Sequence, residues 1–257
     1  MLKWWRVILV LSSLVVGIVM IALQKGHDQN ENALQQAAFG MERVNLETTD
    51  GVRIVGVYQA GASPKGVLLL HMMPATKESW GAFVHALNER GYHTLAIDLR
   101  GHGESDGGPD GYQEFDDARH RSSIHDVEAG AQFLAERGVA ADRFVLIGAS
   151  IGANLAIEYL AAHPEVRQAV ALSAGLNYHG VSAEHAIQML RAGQRVFLVS
   201  AEDDRVAGNA EMNRRLAELV LEGVEKKLLI YTSAGHGTDM FGKEAPDLAT
   251  EIVAWLR

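Results

Sequence analysis

The chain predicts an α/β fold: a mostly parallel eight-stranded sheet with an antiparallel N-terminal strand, helices on both faces, and a hydrophobic helix ahead of it all. Three observations carry that expectation. From Met41 onward, short strand-like runs alternate with longer stretches of helical period. Runs such as "KGVLLLH", "RFVLIGA" and "QRVFLVS" are almost wholly apolar, which is how strands read when crossover helices bury both faces. The first residues, "MLKWWRVILVLSSLVVGIVMIALQKG", form an apolar run of a different kind, with no polar face at all.

That N-terminal run sets Lys3 and Arg6 before an uncharged stretch from Val7 to Leu23, with Trp4 and Trp5 at its edge. As a helix it rises roughly 26 Å, enough to span a hydrocarbon layer of about 30 Å with aromatic and basic flanks. Residues 1–25 are therefore expected to be a membrane anchor or a signal segment. "MIALQKG" lacks a small-x-small cleavage site, which favours the uncleaved anchor. The positive flank orients the N-terminus to the cytoplasm and the body outside it, or exported if the segment is cut. Residues 26–40, ending in "HDQNENALQQAAFG", read as a polar linker, and 41–257 as the folded domain.

Within 41–257 the elements follow in order. "ERVNLETTDGVRIVGVYQAG" is a hairpin turning at Asp50-Gly51. Strands "KGVLLLH" and "YHTLAIDL" bracket a helix over "KESWGAFVHALNERG", and helix "SSIHDVEAGAQFLAERG" leads to strand "RFVLIGA". Helix "NLAIEYLAAHP", strand "RQAVALS", helix "SAEHAIQMLRAG" and strand "QRVFLVS" come next. Helix "NAEMNRRLAELVLEG", strand "KKLLIYTS" and helix "PDLATEIVAWLR" complete the chain.

Composition narrows the function. A formal charge of −9 and no Lys/Arg cluster in the body argue against nucleic acid as partner. Zero cysteines exclude disulfides, thiolate metal sites and a cysteine nucleophile. With no H-x-x-x-H spacing of the metalloprotease kind, no metal or cofactor is expected.

In a parallel sheet the loops at the carboxyl ends of the strands share one crevice, so chemistry collects there. Ser150 follows "RFVLIGA", Asp203 and Asp204 follow "QRVFLVS", and His236 follows "KKLLIYTS". Ser150 is centred in "GASIG", where a strand must turn abruptly into a helix and flanking glycines let the two backbones approach. The bland alternative is a helix-capping serine in a close-packed turn.

These segments, with "LLLHMMP", "DLRGHGES", "AEDDRV" and "AGHG" in that order, resemble the α/β-hydrolase fold family over Met41–Arg257. The resemblance implies a serine hydrolase acting on carboxylic esters or thioesters, with Ser150 as nucleophile, His236 as general base and Asp204 as the acid that orients it. Asp203 is the alternative acid. It further implies an oxyanion hole from the N–H groups of Ile151 and Met73, although Met72 stands where the family usually has glycine and is expected to narrow the mouth or tilt the loop. His71 would shape that loop and His102 its own turn. The segment Ala174–Gly193 spans only 20 residues, so no large lid domain is expected, and Tyr112, Phe115 and Tyr178 are candidate pocket walls. A small ester or acyl molecule is the expected partner, with the membrane reached through the N-terminal segment. Peptidase or acyltransferase chemistry on the same residues, or a non-catalytic membrane-tethered binding protein of the same fold, is the alternative.

Overall fold

The structure is a computed structural model that describes residues 40–256; residues 1–39, which carry the expected membrane segment and linker, lie outside the described residues. Among the described residues no helix is long and apolar enough to cross a membrane.

Eight strands form one sheet: β1 (Met41–Glu47), β2 (Arg53–Gln59), β3 (Gly66–Leu70), β4 (His93–Ile97), β5 (Phe144–Ala149), β6 (Gln168–Leu172), β7 (Arg195–Ala201) and β8 (Glu225–Tyr231). Their spatial order is β1-β2-β4-β3-β5-β6-β7-β8. β2 runs antiparallel to β4, pairing Gly56 with Ile97, while every pair from β4 to β8 is parallel. The Asp50-Gly51 turn closes as expected, with Thr48 N–H bonded to Val52 O at 3.0 Å.

Every residue of β3, β5, β6 and β7 is buried. Because successive side chains leave a strand on opposite faces, this requires cover on both sides. Leu68, Leu70 and Leu146 join one core with α3 (Ile124–Glu136), α4 (Ile151–Ala162), α5 (Ala183–Ile187) and α6 (Asn209–Leu219). Their fully buried neighbours Val67, Leu69 and Ile147 point to the other face. There α1 (Gly81–Asn88) packs beside the C-terminal α7 (Leu248–Trp255).

Local structure departs from the expected elements in three places. The helix expected from Lys77 to Gly91 begins as a 3-10 turn, Lys77–Trp80, because Gly81 sits at φ 36° and breaks the path before α1. "SAEHAIQMLRAG" yields only the short α5: the Arg191 N–H bonds to Gln194 Oε1 at 2.9 Å, which turns the chain toward β7. The loop after β4, to which the sequence assigns no element, folds a 3-10 turn at Gly111–Glu114 and α2 (Asp117–Arg121). Asp116 caps α2 by accepting from Arg119 N–H at 2.8 Å.

At the amino ends of the strands the connections are tight. Gly138 turns the chain after α3 at φ 86°, and Gly223 does so ahead of β8 at φ 87°. The longer and more polar loops all fall at the carboxyl ends.

Candidate active site

Ser150 is the single residue between β5 and α4, with φ 53° and ψ −118°. A non-glycine residue in that region costs on the order of 1–3 kcal/mol, so its surroundings must impose it. Ser150 N–H bonds to Leu172 O on the neighbouring strand at 2.8 Å, and Ser150 O accepts from Ala153 N–H at 2.9 Å. A methyl on Gly148 would lie 2.0 Å from Gly152 O, and one on Gly152 would lie 2.3 Å from Leu70 O. Both glycines of "GASIG" are thus required by backbone meeting backbone. The Ser150 hydroxyl makes no capping bond to α4, so the helix-capping alternative does not describe it.

The loop after β7 delivers two adjacent acids to different tasks. Asp204 accepts from His236 Nδ1 at 2.7 Å on Oδ1 and 2.9 Å on Oδ2, and the two side chains are 1% and 2% exposed. Val206 N–H donates to Asp204 Oδ1 at 2.8 Å and the Ser173 hydroxyl to Oδ2 at 2.7 Å, so the carboxylate is fixed from three sides. Asp203 instead is exposed and accepts from the Ser233 hydroxyl and the N–H groups of Ala234 and Gly235 at 2.8–2.9 Å. Those bonds, Gly235's first, hold its carboxyl below the usual carboxylate range. Asp203 shapes the turn ahead of His236, and Asp204 is the acid bonded to it.

His236 follows β8, at the far edge of the sheet from Ser150's strand, and its loop folds back across the strand ends. Gly237 N–H bonds to Ser173 Oγ at 2.9 Å. A methyl on Gly237 would meet Met72 Sδ at 2.6 Å and Ala149 Cβ at 3.3 Å, so the loop rests on the residue preceding Ser150. With Nδ1 donating to Asp204, Nε2 of the neutral imidazole is left as the basic nitrogen.

The segment after β3 is fastened from below. His71 is fully buried; its Nε2 accepts from Leu99 N–H at 2.9 Å, which puts the proton on Nδ1, where it donates to Met72 O at 2.9 Å. Burial pushes the His71 pKa down to about 4, so the ring is neutral. Further along, Asp98 accepts from the Lys77 N–H at 2.8 Å and from Lys77 Nζ at 2.7 Å, and also from Glu104 N–H at 2.9 Å. Burial pulls the Lys77 ammonium down, but its bonds and charge attraction to Asp98 and Glu78 together outweigh that and hold it above its ordinary range. A methyl on Gly103 would lie 2.2 Å from Asp98 Oδ2, which explains the glycine in "DLRGHGES". From above, Arg205 Nη2 donates to Met73 O at 3.2 Å while Nη1 pairs with Asp239 at 3.4 Å.

Three comparisons bear on this arrangement. A family model described as "Serine aminopeptidase, S33" matches residues 62–197, more than half of the chain. The chain belongs to the serine aminopeptidase S33 family. It is similar over 224 residues, at 25% identity, to part of the multifunctional-autoprocessing repeats-in-toxin of Vibrio cholerae, covering 83% of this chain and 4% of that protein. It is 33% identical over 114 residues to epoxide hydrolase A of Mycobacterium tuberculosis, covering 44% of this chain and 33% of the other. The S33 chain therefore spans a third or less of the length of these curated relatives. Among solved structures it resembles the Pyrococcus furiosus esterase Pf2001 with a TM-score of 0.66 at 20% identity, covering 86% of this chain and 91% of that one. The expected α/β-hydrolase fold is the observed fold.

In this S33 chain the structure puts Asp204 and His236 in contact and sets Ser150 at the strand-helix turn. Ile151 opens α4, so its N–H is one of the four that have no acceptor within the helix. Met73 lies in the segment held by Arg205. Met72, 6% exposed, fills the space between that segment and the His236 loop, with Thr238 Oγ1 3.9 Å from its sulfur. Tyr178 is engaged below the acid loop, where its hydroxyl accepts from Asn209 Nδ2 at 2.9 Å and burial pushes its pKa up to about 12. Tyr112 stacks on His102 at 4.3 Å, and Phe115 packs on His120 at 5.4 Å. Sequence reasoning missed Ser173, Arg205 and Lys77. Of these only Ser173 carried a signal, as a small polar residue directly after a buried strand.

Proposed function

We propose that this chain is a serine hydrolase that cleaves carboxylic esters or thioesters through an acyl-enzyme on Ser150. The observation that carries the reading is the buried His236–Asp204 pair, whose loop rests on the strand end that presents Ser150. Asp204 holds His236 in the Nδ1–H tautomer, so Nε2 is free to take a proton.

In the first half-reaction Nε2 takes the Ser150 hydroxyl proton as Oγ bonds to the acyl carbon. The carbonyl oxygen becomes an oxyanion facing the N–H groups of Ile151 and Met73. On collapse the bond to the alcohol oxygen breaks, and that oxygen leaves with the proton from Nε2. Water then repeats the sequence on the acyl-enzyme, releasing the acid and restoring Ser150. Each oxyanion donor is worth about 10²–10³ in rate, so the fastening of the segment carrying Met73 is itself catalytic design. Peptide and amine acyl transfer would use the same residues. The N-terminal stretch Val7–Leu23 is proposed to tether the domain to a membrane, with the domain on the extracytoplasmic side.

A fluorophosphonate probe on the full-length chain tests the nucleophile: covalent label on Ser150, absent from Ser150→Ala, is expected. No label on folded protein would favour a binding protein that keeps the fold. Parallel assays with p-nitrophenyl esters and aminoacyl p-nitroanilides separate esterase from aminopeptidase.

A further inference from the structure

Three loops carry the acid, the base and the Met73 donor of the hydrolase reading, and one side chain joins them. Arg205 directly follows Asp204 in the loop after β7. Its Nη2 donates to Met73 O at 3.2 Å, in the segment after β3, and its Nη1 pairs with Asp239 Oδ2 at 3.4 Å, in the turn after β8. Asp239 belongs to the His236 loop, since its N–H donates to His236 O at 3.0 Å. At its root Arg205 lies between two tied neighbours, because Val206 N–H donates to Asp204 Oδ1 at 2.8 Å.

What this side chain does follows from how little else holds the segment. Pro74 has no N–H to give, and among the described residues no backbone group from Met72 to Ala75 bonds to another backbone group. Two side chains hold it instead. His71 Nδ1 bonds to Met72 O at 2.9 Å from below, and Arg205 bonds to Met73 O from above. Met72, which stands where the family usually has glycine, adds bulk at this joint: its Sδ lies 4.0 Å from Arg205 Nη2 and 3.9 Å from Thr238 Oγ1. It sets the segment off from the His236 loop, and the Arg205–Asp239 pair spans the gap that it props open.

Resting on the hydrolase reading above, we propose that Arg205 is a positioning residue that acts through Met73. Fastening Met73 O fixes the direction of the Met73 N–H, and the pairing with Asp239 keeps that donor in register with the imidazole of the same turn. A guanidinium fork suits two acceptors on separate loops, which a single ammonium does not. The side chains of Arg205 and Asp239 are 50% and 53% exposed, and an ion pair so exposed contributes little to stability, so its loss should leave the fold in place.

The test is kinetic, on the full-length chain. A misplaced oxyanion donor costs the transition state and spares the ground state. Arg205→Ala is therefore expected to lower kcat on p-nitrophenyl acetate by about 10–100-fold, with KM held within about twofold and circular dichroism unchanged. On the matching thionoester, whose sulfur is a weak acceptor and draws little from the donors, the loss is expected to stay within about threefold. Asp239→Asn, which leaves the Met73 bond in place, is expected to cost about threefold or less, and the double variant to match Arg205→Ala within about twofold, since both act along one line. Equal loss on ester and thionoester, losses that multiply in the double variant, or no loss in Arg205→Ala overturns the proposal. Should Arg205→Ala fold poorly, Arg205→Gln replaces it and the same ratios decide. Ser150-dependent hydrolysis and fluorophosphonate label in the unmutated chain keep the two readings apart. Both present with Arg205 inert sinks only the positioning role, whereas both absent sinks the hydrolase reading and this role together.

Discussion

Ser150 and Ser173 occupy matching places in the sheet. Each is the first residue after a parallel strand, each has φ of 53°, and each donates its backbone N–H to the adjacent strand, Ser150 to Leu172 O and Ser173 to Val199 O. Backbone strain is common to both, so strain alone does not make a nucleophile. The difference lies in what the hydroxyl is engaged with. Ser173 Oγ donates to Asp204 and accepts from Gly237 N–H, which joins the acid loop to the histidine loop. The Ser150 hydroxyl does not cap α4, and glycines on either side let the backbone carry it directly into that helix. One serine ties the two loops together, and the other is the residue to which the proposed function assigns the reaction.

The comparison breaks most sharply at Ser150. Ser150→Ala is expected to lower kcat by about 10⁴–10⁶ with circular dichroism unchanged. A variant that keeps its activity would leave the two serines equivalent. Next come the two acids: Asp204→Asn is expected to cost about 10³–10⁴ in kcat, because the imidazole loses the partner that fixes its tautomer. Asp203→Asn is expected to cost less than about tenfold, since it only loosens the turn at residues 233–235.

A third expectation separates chemistry from fold. Burial lowers the pKa of His71 to about 4 from an ordinary 6.5, so below pH 6.5 the unfolded chain takes up a proton that the folded chain refuses until about pH 4. Stability should therefore be flat above pH 7 and fall through that window, by about 3 kcal/mol at pH 4 for this imidazole. His102, also pushed down to about 4 by burial, adds to the same slope. Urea titrations across pH 4–7 check this, and His71→Gln should flatten the slope while lowering stability at pH 7. A last variant sharpens the serine comparison. Ser173→Ala removes the bond to the Asp204 carboxylate and the one from Gly237 N–H, and kcat should fall by about 10–100-fold with KM held. A loss as large as that of Ser150→Ala would mean that the acid loop had collapsed, which loss of the indole and tyrosine near-ultraviolet circular dichroism would reveal.

The fold was legible because a doubly covered parallel sheet writes itself as apolar runs separated by helical periods, and "GASIG" was legible because two close backbone approaches leave no choice but glycine. That Asp204 and not Asp203 meets His236 was favoured only through the family resemblance and was not legible locally: adjacent loop residues differ in direction only once the turn at residues 233–235 is in place to claim one of them. Arg205 and Lys77 were hidden for a similar reason. Their roles depend on Met73 O and Asp98, partners brought near by the sheet and not by any local period. The short α5 fell below expectation because a side chain, Gln194, captured an N–H that helical propensity had assigned to the backbone.

The tight glycine turns at the amino ends of the strands, at Gly138 and Gly223, leave that rim with no share in the site. Selection can rewrite the opposite rim without unsettling the scaffold, and an engineer can open, lengthen or rejoin the chain at these turns without disturbing the reacting groups.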